Sequence, residues 1–195
     1  LNFLPSITEQ TLEQAIPLLG ERPLIADPGE EFVYGPNTDV LGYLIEILSG
    51  KSLADFLQER IFSPLGMTDT YFYLPENKSG RLVNLYTLEN SGDPLRLHSN
   101  VGYRNYPLNR KGRYFLGGAG LVGTIEDYAK FCQMILNGGS FNEKQILNRR
   151  TIALMTQNQI GDLEVWDRKD KFGLGFQIIT EKSKYGDQAS AGSLT

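Results

Sequence analysis

The sequence predicts an α+β fold that is mainly helical and carries one or two strands of an incomplete antiparallel sheet. Apolar residues recur at helical spacing in several segments, each ended by a glycine or a proline. Only residues 172–180 combine alternation with β-branched side chains in the way typical of a strand. A lone strand leaves backbone groups unpaired, so we expect its sheet partners to lie outside these 195 residues.

The first helical signals precede a bend. A short helix is expected around Glu9–Leu19, and the prolines and glycine of residues 23–29 then predict an irregular turn. Apolar residues from Val40 to Leu48 repeat at helical spacing until Gly50, with Pro36 suited to the first turn. This pattern predicts a mostly buried helix.

The next helix has a capping pattern, because Ser52 stands three residues before Asp55. Pro64 is expected to end it, since proline lacks the backbone donor that a helix interior requires. Residues 70–114 then lose periodicity and gain turn-forming residues, which predicts a long irregular region with one short hairpin.

A third helix is predicted after Thr124, which can cap it, and before Gly138 and Gly139, which can end it. A fourth is expected over Asn148–Gln157. The strand pattern of Phe172–Thr180 follows. We therefore interpret the chain as a helical region that is followed by the first strand of a sheet.

Composition excludes several classes of function. Lysine and arginine total 19 against 23 aspartates and glutamates, and this acidic balance argues against nucleic acid as a partner. Apolar runs are too short for a membrane span. Cys132 and His98 are the only residues of their types, so an internal disulfide or a multi-cysteine zinc site cannot form within one chain.

The most specific motifs stand in a fixed order. They are Pro28-Gly29-Glu30, Tyr34-Gly35-Pro36, Pro64-Leu65-Gly66-Met67-Thr68-Asp69-Thr70, the glycine-rich run Gly117–Thr124, and Phe172-Gly173-Leu174-Gly175-Phe176. Together they resemble the serine β-lactamase and penicillin-binding-protein-like hydrolases, in particular class C β-lactamases and family VIII carboxylesterases. The resemblance covers about Pro23–Phe176 and implies the β-lactamase/transpeptidase-like fold.

The resemblance implies acyl transfer through a serine of a Ser-x-x-Lys motif. A serine hydroxyl is a weak nucleophile until a neighbouring base takes its proton, and the position of Tyr34 implies that role. A phenol can serve near neutral pH when cations stabilise its phenolate. Pro36, Gly118 and Ala119 would contact a small ester, β-lactam or peptide substrate. Neither a metal nor an organic cofactor is implied.

Two departures from the family pattern carry information. Pro36 replaces the Asn or Ser that often stands two residues after the tyrosine, and its lack of an amide favours esters over β-lactams. No serine is followed three residues later by lysine. We therefore expect a partial domain over residues 1–195, with a helical subdomain at about 1–160 and the returning sheet at about 172–195. Such a fragment would be inactive without its nucleophile.

Alternative interpretations stay open from sequence. Tyr34 could simply pack at a helix start with its hydroxyl in water. The fold could serve as a catalytically inactive binding module, and Gly118–Gly123 also fits a dinucleotide-binding G-x-G-x-x-G turn. Trp166 could be a core anchor or a cleft wall. An unpaired strand edge could also support a homo-oligomer.

Overall fold

The computed structural model describes residues 10–98, 105–109, 111–184 and 189–195. It forms two compact units, one of residues 1–22 and 36–128 and the other of residues 23–35 and 129–195. Its α-helices are α1 Leu12–Ala15, α2 Asn37–Ser49, α3 Leu53–Leu57, α4 Ser63–Leu65, α5 Ile125–Leu136 and α6 Arg149–Met155. Its strands are β1 Tyr86–Thr87, β2 Arg96–Leu97, β3 Ser140–Phe141, β4 Lys144–Gln145, β5 Lys171–Phe172 and β6 Gln177–Ile178.

The helices and antiparallel strand pairs confirm the α+β fold class. Within the described residues, no helix has both the length and the apolar character needed to cross a membrane. The helix predicted around Glu9–Leu19 is present as α1 and a 3₁₀ turn over Pro17–Glu21, while Glu9 itself lies outside the described residues.

The core of the first unit forms around α1. Thr11 caps this helix through a reciprocal bond with Gln14, and Leu12 is fully buried. The remaining buried members of this cluster are Ala15, Ile16, Leu53, Phe72, Tyr114 and Leu116. Because these residues come from distant parts of the chain, this cluster joins the helices to the long irregular region.

Helix α2 begins and ends near the predicted positions but is not mostly buried. Gly50 ends it in the left-handed conformation, at φ 66°. Gly42 faces the core, where an added Cβ would lie 2.8 Å from Leu53 Cδ2. The residues of the opposite face are exposed: Val40, Leu41, Leu44, Ile47 and Leu48. Periodicity predicted the helix correctly, but apolar residues occupy more of its circumference than the first unit covers.

Pro64 does not end the helical path that starts after Ser52. Ser52 caps α3 as predicted, accepting the Asp55 N–H at 3.1 Å. A π-helical turn over Gln58–Phe62 then leads into α4, where Pro64 stands near the N-terminus. Proline is tolerated there because the first N–H groups of a helix have no intrahelical partner. Gly66 is the residue that ends the path, in the left-handed conformation.

The irregular region contains the predicted hairpin, in which β1 pairs antiparallel with β2. A buried carboxylate binds the start of this region. Asp127 accepts the Asp69 N–H at 2.7 Å and the Thr70 hydroxyl at 3.0 Å. Thr124 caps α5 as predicted, accepting the Asp127 N–H at 3.2 Å.

In the second unit, the predicted single strand over Phe172–Thr180 is instead a hairpin. β5 pairs antiparallel with β6, and Gly175 turns the chain between them at φ 93°. Ile178 also forms an antiparallel bridge with Leu194. The expectation that all sheet partners lie outside these residues was therefore wrong, because the chain supplies partners on both sides of β6. Asn148 caps α6 within the predicted range.

Burial predicts which leucine supports the fold. We expect Leu12→Ala to lower the free energy of unfolding by about 2–5 kcal/mol, since it removes a fully buried side chain and leaves a cavity. Leu48→Ala, at a site that is 77% exposed, should change it by less than about 0.5 kcal/mol. Urea titration of both variants measures this difference. Equal losses would contradict the assignment of the core.

Candidate active site

Tyr34 lies in the second unit on an exposed segment that precedes α2 in sequence. Its side chain is 66% exposed, and its ring packs on Trp166 at 5.8 Å between centroids with an angle of 45°. Phe32 meets the same indole at 5.8 Å and nearly perpendicular. The Tyr34 ring therefore packs against an aromatic side chain, and the side chain remains accessible to solvent.

Trp166 is half exposed and so is not a core anchor. It contacts Tyr34, Phe32 and the guanidinium of Arg168, which lies 5.6 Å from the indole centroid. The other role left open by the sequence, that of a cleft wall, stays a prediction.

Pro36 occupies the N-cap of α2 in the first unit. Its carbonyl accepts the Asp39 N–H at 3.0 Å and the Val40 N–H at 3.2 Å. Its missing N–H costs nothing at this position, because an N-cap residue has no intrahelical acceptor for it. The sequence prediction that Pro36 contacts substrate stays a prediction, and its local role is to start the helix.

The glycine-rich turn is bonded to the same end of α2. Gly118 N–H donates to Asp39 Oδ1 at 3.1 Å, and Asp39 is buried. Gly117 lies against the backbone of Thr38, where an added Cβ would come 2.9 Å from the Thr38 carbonyl carbon. A side chain at Gly117 would therefore push the turn away from the helix. Gly118 and Ala119 are exposed at the tip of this turn.

Asp39 was not singled out from the sequence, although an acid among apolar helix residues is a signal of a specific role. Burial raises the pKa of its carboxyl, and the backbone N–H groups of Gly118 and Gly117 partly offset this rise. The structure thus brings Pro36 and Gly118 to one helix terminus through Asp39. Tyr34 belongs to the other unit.

Three tyrosines of the first unit, in contrast to Tyr34, are part of its packing and hydrogen bonding. The hydroxyls of Tyr73 and Tyr106 donate to the Tyr114 carbonyl at 2.6 and 2.7 Å. Burial raises the pKa of Tyr73 and of Tyr106, and raises that of Tyr114 to about 12. These phenols remain neutral at ordinary pH, so none of them is suited to accept a proton.

The structure does not support the dinucleotide-binding interpretation of Gly118–Gly123. Such a turn follows a strand and opens a helix, but residues 112–116 form no strand. Within the described residues, no group of three His, Cys, Asp or Glu side chains is placed to hold a metal ion.

The fold and the ordered motifs are those of the serine β-lactamase and penicillin-binding-protein-like family. The family model described as Beta-lactamase matches residues 3–187. The chain belongs to this family.

Relatives with known names and structures agree with this assignment. The chain is 36% identical over 141 residues to lovastatin esterase of Penicillium rubens, covering 71% of this chain and 33% of that protein. The hydrolase EstCE1, with promiscuous acyltransferase activity, matches with a TM-score of 0.76 and 26% identity over 98% of this chain and 52% of that one. Simvastatin synthase (LovD) of Aspergillus terreus matches with a TM-score of 0.70 and 27% identity, over 89% and 46%. The chain spans less than half the length of the curated relatives it matches.

The buried carboxyl predicts a pH effect on stability. Asp39→Asn keeps an oxygen acceptor for the Gly118 N–H but removes the charge. Because the folded-state pKa is raised above 3.8, the folded state binds the proton more tightly than the unfolded state. Stability of the wild type relative to Asp39→Asn should therefore increase as pH falls from neutral toward 4, as measured by thermal unfolding at several pH values. A relative loss of stability on acidification would contradict the raised pKa.

Proposed function

We propose that the full-length protein is an acyl-serine hydrolase or acyltransferase that acts on esters, with Tyr34 as its general base. Membership of the family supports the reaction class, and the Tyr34-Gly35-Pro36 motif supports the residue. The observation that carries the proposal is the place of Tyr34 within the ordered family motifs, on a side chain that is exposed. Tyr73 and Tyr106, by contrast, are hydrogen-bonded into the core.

The proposed reaction has two steps. The serine of a Ser-x-x-Lys motif, contributed by the longer protein, gives its proton to the Tyr34 phenolate and attacks the ester carbonyl. The tetrahedral intermediate collapses, the tyrosine returns the proton to the leaving alcohol oxygen, and an acyl-serine remains. Water or a second alcohol then gives its proton to the tyrosine and attacks the acyl carbon. The bond from the acyl carbon to the serine oxygen breaks, and the tyrosine returns the proton to that oxygen, which restores the serine and the base.

Two features support esters as the substrate class. Pro36 offers neither a side-chain amide nor an N–H where family members with an Asn can hydrogen-bond an amide substrate. The names of lovastatin esterase and of the hydrolase EstCE1 describe ester and acyl-transfer chemistry. Gly118 and Ala119, small and exposed, are proposed to line the substrate cleft.

The 195 residues are proposed to be a partial domain without activity of its own, since none of their serines is followed by lysine at the required spacing. A catalytically inactive binding module is the alternative. A Ser-x-x-Lys sequence in the full-length protein favours the enzyme, and its absence favours the module. Formation of a homo-oligomer through the strand edge stays a prediction, which size-exclusion chromatography with light scattering tests.

Replacing Tyr34 tests the proposed base. In the full-length protein, Tyr34→Phe should lower kcat/KM for short nitrophenyl esters by about 10²–10⁴-fold, because the proton acceptor is lost while the ring contact with Trp166 is kept. Tyr86→Phe, which removes another exposed phenol in β1, should leave kcat/KM within about twofold of wild type, on the usual small effect of surface changes. Turnover of Tyr34→Phe at the wild-type rate would remove Tyr34 from the mechanism.

A second experiment tests the proposal that this chain is inactive alone. The isolated 195-residue chain should release no nitrophenol above the uncatalysed rate, whereas the full-length protein should show a burst equal to its active-site concentration. Turnover by the isolated chain would show that the nucleophile lies within these residues.

A further inference from the structure

We propose that Trp166 forms a wall of the subsite for the alcohol portion of the ester, and that this subsite takes apolar alcohols. The inference rests on the proposed function of Tyr34. Two observations carry it. The half-exposed indole packs against the proposed base, and hydrogen bonds fix the loop that carries the indole.

Trp166 lies in a loop that runs from Val165 to Asp170, and these two end residues are buried and paired with each other. Val165 is 1% exposed and Asp170 is 3% exposed. Val165 N–H donates to the Asp170 carbonyl at 3.1 Å, and the two residues form an antiparallel bridge. The Asp170 carboxylate accepts hydrogen bonds from the Gln177 amide and the Ser183 hydroxyl. The ends of the loop are therefore fixed to the segment that follows β5.

The tip of the loop is held as well. The Arg168 carbonyl accepts the Lys184 N–H at 2.9 Å, and the Lys169 carbonyl accepts the Thr180 hydroxyl at 2.9 Å. Lys169 also pairs with Glu164 at 2.7 Å. With base and tip both bonded, the backbone around Trp166 has little freedom to rearrange.

Two features of Trp166 are expected to lower the stability of the folded protein. Its backbone lies at φ 52°, in the left-handed region that bulky side chains rarely adopt. Its indole, the largest apolar side chain in the sequence, is 51% exposed to water. A core-packing role would bury the ring, and a purely structural turn would favour glycine or asparagine at this φ. The network instead fixes a strained residue with its ring outward, which is the arrangement expected of a preorganised binding surface.

The position beside Tyr34 indicates which part of the substrate would meet the indole. A general base returns its proton to the leaving oxygen, so the alcohol portion must pass next to the tyrosine hydroxyl. The Trp166 ring packs against the Tyr34 ring at a tilt of 45°, with 5.8 Å between centroids, and Phe32 contacts the indole nearly perpendicular to it. An apolar alcohol portion that lies next to the Tyr34 hydroxyl would therefore cover indole surface and remove it from water.

The test compares two ester series in the full-length protein. One varies the alcohol from ethyl to hexyl acetate, and the other varies the acyl group from methyl acetate to methyl hexanoate. Trp166→Gly removes the indole and accepts the positive φ without strain, whereas Trp166→Phe keeps an aromatic ring. In Trp166→Gly, the kcat/KM ratio of hexyl to ethyl acetate should fall about tenfold, and the methyl hexanoate to methyl acetate ratio should stay at its wild-type value. Trp166→Phe should lie between.

A fall by the same factor for every ester, or a loss that follows the acyl series, would overturn the alcohol subsite while leaving the hydrolase intact. Absence of ester turnover in the wild type would instead contradict the proposed function. In that case, the subsite is tested by binding alone. Both the wild type and Trp166→Phe are titrated with 1-hexanol, and the difference between their fluorescence spectra gives the emission of Trp166. A saturable blue shift supports an apolar alcohol site, and no shift overturns it.

Discussion

The hydrogen bond from the Gly118 N–H to the Asp39 carboxylate is the contact on which the candidate site of the first unit depends. It joins residues 79 positions apart, and it fixes the glycine-rich turn to the first turn of α2. A buried carboxylate is costly unless donors compensate it, and here backbone N–H groups of the turn do so. The absence of a Cβ at Gly117 permits the close approach to Thr38 that this bond requires.

The second unit uses the same device for a different loop. Asp170 is buried, accepts side-chain donors from Gln177 and Ser183, and fixes the base of the loop that presents Trp166. In each unit a buried aspartate thus forms hydrogen bonds that hold a segment for which we propose a substrate contact. Because the anchors are buried and the tips are exposed, the tips can be held without being covered, as a binding site requires.

Local signals in the sequence predicted the helices well, whereas contacts between distant residues could not be predicted. Ser52, Thr124 and Gly50 act where their side chains or backbone freedom indicate, since capping depends on neighbours three or four residues away. The failure at Pro64 depends on a π-helical turn that no local pattern announces. The burial of α2 failed because periodicity identifies an apolar face but not what covers it. The motif containing Tyr34 was recognisable, but its aromatic support by Trp166 arises from a loop more than a hundred residues later in the sequence.

The central claim is that Tyr34 serves a serine nucleophile in the full-length protein, and covalent labelling tests it most directly. The full-length protein is treated with a fluorophosphonate, digested and mapped by mass spectrometry, with Tyr34→Phe treated in parallel. The account predicts one adduct, on a serine followed three residues later by lysine, formed much more slowly in Tyr34→Phe. An adduct on a residue within these 195 positions, no adduct, or equal labelling rates in the two proteins would contradict it.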